Sequence, residues 1–265
     1  MLLLDGYGVL VDGSGALPGA AAFLRRLGAV GREHLLLSND ASRLPETTAA
    51  RYRALGVPIP LDRILTSGML LVDHFASADL VARPCVALGP EDSRRLVERA
   101  GGQLVTPGDD AAEVVVLCDD DGYPFLPTLE AVVSALVRRI DRGDAVHLVL
   151  PNPDLTYPKA PGQIGIAAGA AALVVEAALR LRFGDAAPRF TALGKPHPPI
   201  FAAARRQLGL GAEARTVMVG DQLATDIAGA NAAGIDSVLI GSGLSRLDAL
   251  PLDGPRPTWT LAGLD

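Results

Sequence analysis

Aromatic residues are scarce, at 4% of the chain, although 49% of it is hydrophobic. A core built mainly on Phe, Tyr and Trp is therefore excluded, and Ala, Leu and Val must fill it, which suits helices packed on a parallel sheet. Cysteine is nearly absent. Cys85 and Cys118 match no metal or redox spacing, so both are expected as small apolar residues in strands of a protein kept in a reducing compartment. Basic clusters are missing too: no Lys/Arg run exceeds a pair, and the net charge is −6. Such a chain has no electrostatic footprint for nucleic acid or an anionic membrane surface, and neither partner is expected. Long apolar runs are also lacking. The first one has no basic flank and is broken by Asp5, and none reaches the ~18 residues of a membrane span, so a cytoplasmic location is expected.

What is present is an alternation of strand and helix signals. Leu2 to Leu4 deliver Asp5 into a Gly-flanked turn, the way a buried parallel strand presents a carboxylate at the ligand-binding edge of an α/β sheet. A helix follows from Pro18 and Gly19, then a strand, His34 to Leu37, that ends in Ser38, Asn39 and Asp40. A helix from Pro45 to Leu55, a strand at Ile64 to Gly68 and a helix to about Ala78 complete a doubly wound parallel pattern.

From about Leu80 a second α/β unit is expected, with strands at 84–89, 114–117 and 146–150 and helices at 91–100 and 129–142. The Ala/Gly-rich stretch Ile164 to Leu181 reads as one closely packed helix, and 183–188 as the return linker. The first unit then resumes with Lys195, the helix 200–208, the strand Thr216 to Asp221, a helix near 225–233 and the strand Ser237 to Ile240. The Pro-rich end after Leu250 shows no further element.

Asp5, Ser38 with Asn39, Lys195, and Asp221 with Asp226 thus lie at strand ends, on one edge of one sheet. Carboxylates from two strands suit a hard cation such as Mg²⁺. Ser38 and the amides after it suit phosphate oxygens, and Lys195 adds a positive charge. Together they suit an aspartate that attacks phosphorus while its surroundings neutralise the developing charge.

The segments Asp5-Gly-Tyr-Gly-Val-Leu, Leu37-Ser-Asn-Asp, Gly194-Lys-Pro and Val219-Gly-Asp-Gln-Leu-Ala-Thr-Asp226 resemble the four motifs of the haloacid dehalogenase-like (HAD) hydrolase superfamily. Thr66-Ser-Gly, Asn152 to Pro158 and the position of the insertion resemble its subfamily IIA, the nitrophenyl-phosphatase-like branch. The resemblance implies a Rossmann-like core at 1–80 and 185–265 and a mobile α/β cap at 81–184. It implies that Asp5 becomes a phosphoaspartate and that Ser38, Asn39 and Asp40 border the phosphoryl group. Lys195 would pair with nucleophile and phosphate, and Mg²⁺ would be held by Asp5, the Tyr7 carbonyl, Asp221 and Asp226. A small phosphorylated molecule is the expected substrate, and two copies are expected to pair through their caps.

Tyr7 departs from the family pattern, which usually has a second aspartate there as general acid and base. Free tyrosine titrates near 10 and is a poor base at neutral pH. A slow phosphatase, or one limited to good leaving groups such as aryl and acyl phosphates, is the expected result. Asp-x-Tyr-Gly also resembles the metal-independent dehalogenases, but only about 33 residues separate Asp5 from Ser38, too few for their helical cap, and Asp221 and Asp226 are kept. A protein that binds phosphate esters with little turnover is the third reading. Asp119 to Asp121 read as a solvated acidic loop that would repel anionic substrates if it faced the cleft, and Asp154 or Thr156 as candidate substrate contacts.

Overall fold

A computed structural model of the protein describes residues 1–160, 162–209, 211 and 214–265. The first unit starts with β1 (Leu2–Leu4), α1 (Ala20–Ala29), β2 (His34–Ser38), α2 (Pro45–Ala54), β3 (Ile64–Thr66) and α3 (Leu71–Ser77). The second contains β4 (Pro84–Leu88), α4 (Glu91–Arg99), β5 (Gln103–Leu104), β6 (Val114–Leu117), α5 (Phe125–Asp141), β7 (His147–Leu150), β8 (Thr156–Ala160), β9 (Gln163–Ile166), α6 (Ala168–Phe183) and β10 (Thr191–Ala192). The chain then returns through α7 (Pro198–Gln207), β11 (Val217–Gly220), α8 (Ala228–Ala232), β12 (Asp236–Ile240) and β13 (Trp259–Leu261).

The first sheet is parallel throughout, in the order β13-β12-β11-β1-β2-β3. Its winding reverses between β1 and β11, and ligands bind at that switch point in doubly wound sheets. Strand residues alternate between two apolar layers. Leu3, Leu35 and Leu37 pack with Phe75, Ile200 and Phe201, whereas Leu4 and Leu36 pack with Leu24 and Tyr52 on the other face. Burial on both faces explains why these strands read as unbroken apolar runs.

A second parallel sheet, β10-β7-β6-β4-β5, is built the same way. Val86, Val115, Leu117 and Leu148 face α5 and α6, while Cys85, Val114, Val116 and Val149 face the layer that holds Phe75 and Leu35. The two units therefore share one apolar cluster. Both cysteines are buried and free, and among the described residues no helix is long and apolar enough to cross a membrane.

Three expectations change. The stretch read as one helix from Ile164 begins with a strand, because β8 and β9 form an antiparallel hairpin turning at Gly162 (φ 73°). Three or four residues are too few to separate a strand period from a helical one, and the Ala-rich run behind them hid the boundary. Trp259–Leu261 adds a sixth strand to the first sheet where the Pro-rich end gave no signal. Thr191–Ala192 pairs with β7, so the second sheet extends beyond the expected linker.

Phe75 is wholly buried between the two units. Phe75→Ala is expected to lower the unfolding free energy by about 3–5 kcal/mol in urea titrations followed by far-UV circular dichroism, with both sheets lost in a single transition.

Candidate active site

Asp5 follows β1 and Asp221 follows β11, so neighbouring parallel strands place their carboxylates side by side at the switch point. A wide helical turn, Leu223–Ile227, folds Asp226 back, and its Oδ2 accepts the N–H groups of Asp221 and Gln222, both at 3.1 Å. Carboxylate oxygens of Asp5, Asp221 and Asp226 lie within 4.8 Å of one another, and all three residues are buried. Close approach here depends on glycine. Gly8, at φ 81°, and Gly243 leave no room for a Cβ, which would stand 2.4 Å and 1.9 Å from Asp221 atoms.

Lys195 is 2% exposed. Its Nζ lies 2.6 Å from Asp5 Oδ1 and 2.8 Å from Asp226 Oδ1. Burial opposes its charge, but the attraction of Asp226, Asp5 and Asp154 prevails and holds the ammonium above the usual lysine range. Burial raises Asp5 to about 7 against the pull of Lys195, and Asp221 is pushed well up by burial and by Asp226. Asp221 Oδ2 accepts the Leu244 N–H at 2.8 Å, whereas Asp221 Oδ1 is buried with no hydrogen-bond partner among the described residues. Three buried carboxylates, two of them paired with one ammonium and the third with an oxygen left without a partner, form a donor set that suits a hard divalent cation. The hydrogen bonds of the first turn run to the carbonyls of Gly6, Gly8 and Val11 and leave that of Tyr7 out, among the described residues.

Asp5, Tyr7, Ser38, Asn39 and Asp40 line one cavity of about 200 Å³ with Asn152, Asp154, Tyr157 and Asp119 to Asp121 from the second unit. Ser38 Oγ accepts the Asp40 N–H at 3.2 Å, which frees its own proton for a ligand. Asn39 is fully engaged: its amide donates to Asp154 (2.8 Å) and to the Lys195 carbonyl (2.9 Å), and its oxygen accepts the Lys195 N–H (2.7 Å). It positions Lys195 and anchors the second unit. Asp40 holds the Ser42 N–H (2.7 Å) and hydroxyl (2.6 Å) and pairs with Arg43 at 3.1 Å.

Tyr7 lines the cavity with its hydroxyl held at 2.9 Å by Arg51, whose guanidinium lies 5.2 Å from the ring centre. Tyr157, from β8, meets Tyr7 edge to face at 6.4 Å. Arg43 and Arg51 carried no sequence signal, since a single Arg in a loop or helix looks like any solvated residue, and Tyr157 stood out only as part of the Asn152 to Pro158 resemblance. The acidic turn is a correction: Asp119 to Asp121 line the cleft, because β6 ends at the same edge of its sheet as the Asn152–Asp154 segment after β7. Thr156 is not among the lining residues.

This geometry coincides with what comparison with known proteins shows. A haloacid dehalogenase-like hydrolase profile matches residues 2–103, and a HAD-hydrolase-like profile matches residues 192–265. Dihydroxyacetone phosphatase of Corynebacterium glutamicum (strain R) is 31% identical over 92% of this chain and 81% of its own length. The 5'-nucleotidase YutF of Bacillus subtilis (strain 168) is 27% identical over 99% of this chain and 94% of its own. A possible sugar phosphatase of the HAD superfamily from Cytophaga hutchinsonii superposes with a TM-score of 0.85 at 30% identity, covering 99% of this chain and 93% of that one. The chain belongs to the haloacid dehalogenase-like hydrolases. It shares its fold with the p-nitrophenyl phosphatase from Archaeoglobus fulgidus (TM-score 0.79, 23% identity, 99% of this chain and 95% of that one), as the nitrophenyl-phosphatase-like motifs imply.

Burial and the neighbouring Asp120 push Asp119 up to about 7. Below the ordinary carboxylate pKa both folded and unfolded chains are protonated there. As pH rises from about 4 to about 7 the folded chain keeps its proton while the unfolded chain loses one, so this residue's contribution to stability falls. Asp119→Asn is therefore expected to melt with the parent at pH 4 and several degrees above it at pH 8, after about 1–2 kcal/mol of relief, in thermal scans across that range.

Proposed function

We propose that this hydrolase is a Mg²⁺-dependent phosphatase of small phosphate esters that works through a phosphoaspartate on Asp5. The buried pairing of Lys195 with Asp5 and Asp226, beside the unpartnered Asp221 Oδ1, carries this reading. The phosphatase names of its relatives support it. The insertion falls after β3, not between Asp5 and Ser38, which disfavours the dehalogenase reading. Mg²⁺ held by Asp5, Asp221, Asp226 and the Tyr7 carbonyl would supply positive charge against the phosphoryl oxygens.

The chain's own residues do the rest. Lys195 opposes the burial that raises Asp5 and aims its carboxylate, and Asn39 keeps Lys195 in place. An Asp5 oxygen attacks phosphorus as the bond to the leaving oxygen breaks, and the Ser38 hydroxyl donates to the phosphoryl group. Water then cleaves the phosphoaspartate and restores Asp5. Tyr7, tied to Arg51, leaves the departing oxygen without a carboxylic acid to protonate it, which favours esters of acidic alcohols. Residues 1–80 with the returning chain act as the chemical core, and the inserted unit, whose sheet runs on to Thr191–Ala192, as the cap that selects substrate. A cytoplasmic setting agrees with two free buried cysteines.

With 4-nitrophenyl phosphate, turnover is expected to require Mg²⁺, to vanish in Asp5→Asn, and to rise about 10²–10⁴-fold in Tyr7→Asp. A parent that binds phosphate and Mg²⁺ but shows no turnover, while Tyr7→Asp does, would make it a binding protein instead. Leu173, Val174 and Leu181 form an exposed apolar stripe on α6 and support pairing of two copies through the cap. Leu181→Glu is expected to give monomers in sedimentation velocity where the parent sediments as a dimer.

A further inference from the structure

The charged lining of the cavity is mostly acidic. The first unit contributes Ser38 and Asp5, with Lys195 paired to Asp5. The second unit contributes Asp119, Asp120 and Asp121 from the turn after β6, together with Tyr157. Basic charge nearby is already answered, because Arg43 pairs with Asp40 and Lys195 with Asp5 and Asp226. Lys159 acts on Asp120 from outside the lining, and no ion pair joins it to the turn among the described residues. Among the described residues, Asp119 Oδ1 and Asp121 Oδ1 accept only N–H groups of their own turn, at 3.1 Å and 2.7 Å. Arg43 and Lys159 act on these carboxylates, but among the described residues neither forms an ion pair with them, so the turn faces the cleft with negative charge in excess. One guanidinium already lies against Tyr7, while the Tyr157 ring in the lining leaves an aromatic surface next to the carboxylates.

Resting on the phosphatase reading, we infer that the preferred substrates are small phosphate monoesters whose leaving group carries a protonated amine, held by the Asp119–Asp121 turn against Tyr157, and that leaving groups bearing further negative charge are rejected. The attraction is local and the rejection equally so, because like charges brought together in a partly desolvated cleft discriminate more strongly than attraction alone. Raised proton affinity agrees with this: burial and mutual repulsion lift Asp119 to about 7 and raise Asp120, and a bound cation would relieve both. The small cavity limits the amine to a short reach from the phosphorus.

The test uses three aryl phosphates of matched leaving ability, 4-(2-aminoethyl)phenyl, 4-ethylphenyl and 4-(carboxymethyl)phenyl phosphate, with 4-nitrophenyl phosphate as reference. With Mg²⁺ at pH 7.5 the expected order of kcat/KM is ammonium, neutral, carboxylate, with about 100-fold between first and last. Asp120→Lys is expected to shrink that ratio at least tenfold, and added salt to shrink it in the parent. Equal values, or a preference for the carboxylate, overturn the inference. Calorimetric binding of the same three esters to Asp5→Asn protein should give the same order without any turnover, and equal affinities there overturn it as well. If nitrophenyl phosphate is not hydrolysed while that affinity order holds, the phosphatase reading fails and the inferred selectivity stands.

Discussion

The ammonium of Lys195 is the point on which the site depends. A lysine so deeply buried keeps its charge only if carboxylates surround it, and here Asp5 and Asp226 do so at 2.6 Å and 2.8 Å. Each partner comes from a different part of the chain, so the ion pairs close the site only when the whole sheet is assembled. Removing one partner would leave the others as uncompensated buried charges. The same arrangement has a carboxylate excess, which suits a divalent cation.

Two features keep this charge cluster rigid. Glycines at 8 and 243 let the backbone close around Asp221, and Asn39 gives both its amide donors and its oxygen to Lys195 and Asp154. Through Asp154 the second unit is tied to the reacting end of the cleft, and through Phe75 and its neighbours it shares an apolar layer with the first. The second unit thus both lines the cavity and packs as a structural partner of the first. The charged centre sits at strand ends of one sheet, while a turn and a hairpin of the other unit line the cavity beside it.

Tyr7 sits where these two halves meet. Its ring meets Tyr157 of the hairpin, and its hydroxyl is held by Arg51 from α2. Both its polar and its aromatic contacts are therefore spent on packing at the cavity where the two units meet.

Much of the core was legible in the residues themselves. Apolar runs ending in Asp5, Ser38 and Asp221 announced buried parallel strands, because such strands are covered on both faces and must place their polar chemistry at the ends. Lys195 was legible only through its motif, since a lone lysine has no periodicity to betray burial. The hairpin at 156–166 and the strand at 259–261 were not legible: both are short, and their pairing is decided by neighbours distant in sequence. Nor was the orientation of Asp119 to Asp121. A run of acidic residues reads the same whether it faces solvent or a cleft, and only the packing of one sheet against the other turned it inward. Local pattern determined the strands, their order and the residues able to do the chemistry, because strand burial and turn chemistry act over a few residues. Which carboxylates meet the lysine, what Asn39 holds and what charge the leaving group encounters were decided by tertiary structure, because those distances exist only once chain segments nearly 200 residues apart have come together.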